Sequence, residues 1–69
     1  MPSARNNHIL RYEDSGAVAS ASRYHHPGMA LVAARRIAKR TGRVVVVMWC
    51  DDAGTPKTQT GRAEPPATA

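Results

Sequence analysis

RVVVVMWCDD, residues 43–52, sets seven apolar side chains in a row, Val44 to Cys50, in a chain of 69 residues with few other large hydrophobes. The run is far shorter than the roughly 20 residues of a membrane-spanning helix and has the length and β-branched content of a buried strand. In a strand successive side chains point to opposite faces. Val44, Val46, Met48 and Cys50 therefore belong to one face, and Val45, Val47 and Trp49 to the other. Both faces are apolar, so both need a cover.

Just upstream, residues 29–41 carry the helical signal: Ala, Leu, Arg and Lys in quantity, closed by Gly42 as a left-handed cap. Steps of 100° place Met29, Ala30, Ala33, Ala34, Ile37 and Ala38 on one side, with Arg35, Arg36, Lys39 and Arg40 on the other. Alanines on the apolar side let a helix lie close to a sheet. One helix can cover one face of strand 43–50, and the other face is left for a second copy of the chain or for a target.

Further upstream, residues 8–13 have strand character and Asp14-Ser15-Gly16 is a turn signal. Residues 17–24 are expected to return as a second strand, although Ala and Ser give them little β-propensity. Residues 1–7 read as a flexible lead-in. Downstream, Asp51-Asp52-Ala53-Gly54 makes a turn, residues 55–60 a short edge strand starting near Pro56, and residues 61–69 a disordered tail. The expectation is a single α+β domain over residues 8–60. Its order is β-β-α-β with a short fourth strand, and one amphipathic helix lies on one face of a small antiparallel sheet.

Ten Lys and Arg face five Asp and Glu, a formal charge of +5. Five of those ten cations, Arg35, Arg36, Lys39, Arg40 and Arg43, fall within nine residues. The helix holds no acid to pair with them, so they repel one another unless an anionic partner is present. A single cysteine excludes an internal disulfide, and the N-terminus has no apolar signal core. A cytoplasmic protein with no membrane partner is expected.

Catalytic patterns are lacking. His25, His26 and Cys50 do not make a zinc ligand set, since four ligands or three and a water are needed. Asp51 and Asp52 sit where a turn favours Asp for its own backbone bonding. Cys50, beside valines, reads as a small core hydrophobe. The segment HHPG lacks the glycines and lysine of a phosphate loop. Two tyrosines and one tryptophan are too scattered for a base-stacking platform. Neither an enzyme nor a cofactor is expected.

The order of elements and the size resemble several small phage-encoded host-takeover proteins, among them anti-CRISPR proteins and small inhibitors of bacterial RNA polymerase, and the stretch ARRIAKRTGRVVVV at residues 34–47 is similar to the helix-to-strand step of one anti-CRISPR family. The resemblance implies a non-enzymatic inhibitor that docks on a host protein or nucleoprotein complex and competes for its nucleic-acid path. The expected contact residues are Arg35, Arg36, Lys39, Arg40 and Arg43, with Trp49 as an apolar anchor. Two other readings use the same features: a direct binder of nucleic acid without sequence preference, and a homodimer or larger assembly built on the uncovered sheet face.

Overall fold

The computed structural model describes residues 7–66 and gives β1 (His8–Tyr12), α1 (Pro27–Thr41), β2 (Val45–Cys50) and β3 (Pro56–Ala63). The three strands form one antiparallel sheet in the order β1-β2-β3. The fold is α+β, with the valine-rich strand in the centre, where a segment apolar on both sides belongs. Residues 1–6 and 67–69, the outer parts of the expected lead-in and tail, lie outside the described residues.

The helix covers the face that carries Leu10, Val45 and Val47. Cross-strand rows on this face run Leu10–Val47–Gly61 and Tyr12–Val45–Ala63. Leu10, Val45 and Val47 are fully buried, and Ala30, Ala34, Ile37 and Ala38 of α1 pack on them. The close approach needs small residues on both sides. A Cβ on Gly61 would stand 3.4 Å from Leu31 Cδ1 and 3.6 Å from Val47 Cβ, so anything larger than alanine there would push the helix outward.

Both ends of α1 are capped. Gly42 closes it at φ 71° and donates its N–H to Ala38 O, as the sequence predicts. At the start, two residues earlier than expected, His26 Nδ1 accepts the Gly28 N–H at 3.0 Å and Pro27 occupies the first turn. His26→Ala is therefore expected to cost about 0.5–2 kcal/mol, as for other lost caps, and His26→Asn to restore most of it. Urea midpoints of the two variants check this.

Residues 17–24 do not form the expected second strand. They run beside β1 as a loop with two isolated bridges, His8 to Tyr24 and Arg11 to Val18. Its backbone bonds are few: Tyr12 N–H to Ala17 O at 2.8 Å, Ala19 N–H to Leu10 O at 2.8 Å, and a reciprocal pair between His8 and Tyr24 at 2.7 and 2.9 Å. Ala and Ser supply no β-branched side chains to hold a regular ladder. The element order is thus β-α-β-β.

The strand expected at residues 55–60 extends to Ala63, three residues into the stretch expected as tail. Two bulges interrupt its pairing with β2, leaving Thr60 and Lys57 without register partners. Bulges, Pro56 at the start and the charges of Lys57 and Arg62 all blunt this outer edge against pairing with another sheet.

The sheet face opposite the helix is not bare. Val46 is 5% exposed, Ile9 8% and Cys50 1%, all within a single chain. Val46 lies in a row between Arg11 and Arg62. Arg62 extends from β3 across β2 to Glu13, just past the end of β1, with Nε 2.6 Å from Oε2 and Nη2 3.1 Å from Oε1. Arg11 flanks Val46 on the other side, and its Nε is buried without a hydrogen-bond partner among the described residues. Val46, Ile9 and Cys50 are thus covered within a single chain, while Val44 and Met48 of the expected face stay partly exposed.

Candidate functional site

Charge on this molecule divides into a braced set and a free set. Arg43, at the helix-to-sheet step, holds Asp14 with Nη2 2.6 Å from Oδ1 and Nε 3.1 Å from Oδ2. Its guanidinium also stacks on the Tyr12 ring, 3.8 Å from the centroid. Arg62 pairs with Glu13 and Glu64, and Lys57 lies 4.0 Å from Asp51. These contacts occupy three cations and four of the five acids.

Bonding to Arg62 holds the Glu13 carboxyl below its ordinary value of 4.5, and Arg43 does the same for Asp14, ordinarily 3.8. Both arginines are correspondingly raised. A depressed carboxyl adds stability that is complete above its ordinary value and is lost as pH falls through the folded one. Melting temperature should therefore drop below about pH 4.5 as the two pairs are protonated. E13Q/D14N should show a shallower acid slope, and parallel slopes for variant and parent would count against the pairs.

Arg35, Arg36, Lys39 and Arg40 are exposed and have no ion pair or hydrogen bond among the described residues. All four lie on the outer face of α1, because the buried arc is taken by Ala30, Ala34, Ile37 and Ala38. Arg35 and Lys39 line a groove of about 350 Å3 with Arg62, Ala63, Glu64 and Pro66 on the β3 side. Arg36 lines another, of about 320 Å3, with Tyr24, Met29, Val32 and Ala33.

Of the six residues expected to make contacts, the structure thus brings four together on one helix face. Arg43 stands apart, since its charge is spent on Asp14 and Tyr12. Trp49 also stands apart, in β2 opposite His8 and Thr58 and 36% exposed, and lines neither groove that the free cations border. Sequence reasoning missed the apolar part of the outer face. Met29, expected on the buried side, is 58% exposed, and Val32 is 48% exposed. The 100° spacing carries the signal for Val32, which falls between Arg35, Arg36 and Lys39 on the wheel.

Asp51 serves the turn between β2 and β3, where Oδ1 accepts the N–H groups of Ala53 at 3.0 Å and Thr55 at 2.9 Å. Among the described residues no group of three or more His, Cys, Asp and Glu is placed to hold a metal ion, and no helix is long and apolar enough to cross a membrane. No family model, curated protein or solved structure matches the chain.

Proposed function

We propose that the chain is a non-catalytic binding module that docks through the outer face of α1 on an anionic surface of a host nucleic-acid machine, in the manner of a phage-type inhibitor. The observation that carries this reading is the division of charge: among the described residues four cations on one helix face make no ion pair, while Glu13, Asp14, Asp51 and Glu64 pair with other cations. Unpaired like charges on a short helix cost stability, and an anionic partner relieves that cost. With the second strand replaced by a loop, the resemblance to small phage-encoded inhibitors rests on the helix-to-strand step at residues 34–47 and its charge, and no longer on the order of elements.

The test is capture from a bacterial lysate by the tagged chain at low and at high salt, with nuclease-treated and untreated lysate in parallel. The expected result is a nuclease-resistant partner that is released as salt rises. If capture depends on intact nucleic acid, and bare duplex binds with a log–log salt slope of about −3.6, about −0.9 for each of four phosphate contacts, the cations belong to direct nucleic-acid binding instead. The homodimer reading rests on the sheet face opposite the helix, where Val46, Ile9 and Cys50 are buried in one chain and Val44 and Met48 are partly exposed.

A further inference from the structure

The outer face of α1 is not uniformly basic. Its first two turns present Met29 and Val32, and its last two present Arg35, Arg36, Lys39 and Arg40. Met29 and Val32, with Tyr24 and Ala33, form the apolar wall of the groove of about 320 Å3, and Arg36 stands at its rim. From Met29 to Arg40 the face runs about 16 Å at 1.5 Å per residue. A ligand lying along the helix would meet apolar surface at one end and unpaired cations at the other.

We infer that the occupant of this face is an acidic polypeptide segment carrying one or two large apolar anchors, with the anchors in the Met29–Val32 groove and the acids beside Arg36 and Arg40. Charge complementarity selects an acidic ligand, and the groove selects among acidic ligands. A duplex backbone has no apolar group to place there. Unstacked bases favour a row of aromatic rings, and Tyr24 is the one aromatic residue lining the groove. Met29 and Val32, 58% and 48% exposed beside Arg36, are apolar surface that a ligand with large apolar groups can bury and a purely polar one cannot. This inference rests on the proposed docking role of α1 and specifies the chemistry of the partner.

The test uses the full chain and three probes: a synthetic peptide of Glu residues with two Leu anchors, the same peptide with Ser in place of Leu, and a short DNA duplex. Met29→Ser combined with Val32→Ser removes the apolar wall and leaves every cation in place, and circular dichroism verifies its folding. The anchored peptide is expected to bind at least tenfold more tightly than the anchor-free one. M29S/V32S should erase that difference without changing the affinity of the anchor-free peptide. Equal binding of the two peptides, or an unchanged preference in M29S/V32S, overturns the inference, as does tighter binding of the duplex than of the anchored peptide. Failure of the docking proposal itself looks different, with none of the three probes binding even at low salt.

Discussion

Leu10→Ala is expected to remove about 2–5 kcal/mol, a large part of the chain's stability. Leu10 is fully buried, pairs with Val47 across the sheet and packs under the alanines of α1. Truncating a buried leucine costs about 2–5 kcal/mol, from lost transfer energy and from the cavity left behind. A domain of this size has roughly 3–10 kcal/mol in total. The core offers little room to compensate, since its largest fully buried side chains are Leu10, Val45, Val47 and Cys50. Urea unfolding followed by circular dichroism checks this. Val18→Ala, at a side chain 61% exposed, serves as the control and should stay within about 0.5 kcal/mol of the parent. Equal midpoints for the two variants would contradict the packing described for the helix-covered face.

The second large effect concerns binding. R36E/K39E changes the formal charge from +5 to +1, because two cations become two anions, and all of that change falls on the outer face of α1. Placing like charges against an anionic partner costs several kcal/mol, so affinity should fall more than a hundredfold. The fold should not suffer. R36E puts an acid four residues before Arg40, and K39E puts one four residues after Arg35. Each creates an i,i+4 pair worth about 0.2–0.5 kcal/mol where repulsion stood before. K39E also sets an acid in the last turn, at the negative end of the helix dipole, which offsets those pairs. A chain of near-parental stability that cannot bind is the signature of a face kept basic for contact.

Most of the architecture was legible in the sequence, for identifiable reasons. RVVVVMWCDD reads as a strand apolar on both sides, and it became the central strand. The alanine arc and Gly42 located the helix and its buried side. Three features were not legible. Residues 17–24 flank β1 but lack the side chains to sustain a ladder, and propensity alone cannot say how far a flanking loop will pair. Val46 of the central strand is buried in a row between Arg11 and Arg62, and nothing in the local sequence of an arginine tells whether it reaches across a neighbouring strand, as Arg62 does to Glu13. For the same reason Arg43 read as one of a run of cations, although Asp14, 29 residues away in sequence, takes its charge. Contacts between distant residues decide which cations of a basic run are free.

That distinction between braced and free cations is tested most directly by measuring the affinity of R43Q and of R36E/K39E, side by side, for the partner captured by the parent chain. R43Q breaks the pair with Asp14, so it should melt at a lower temperature than the parent yet bind the partner with nearly parental affinity at a temperature where it is folded. R36E/K39E should melt close to the parent and fail to bind. Loss of binding in folded R43Q together with retained binding in R36E/K39E would contradict the assignment of the helix face as the docking surface.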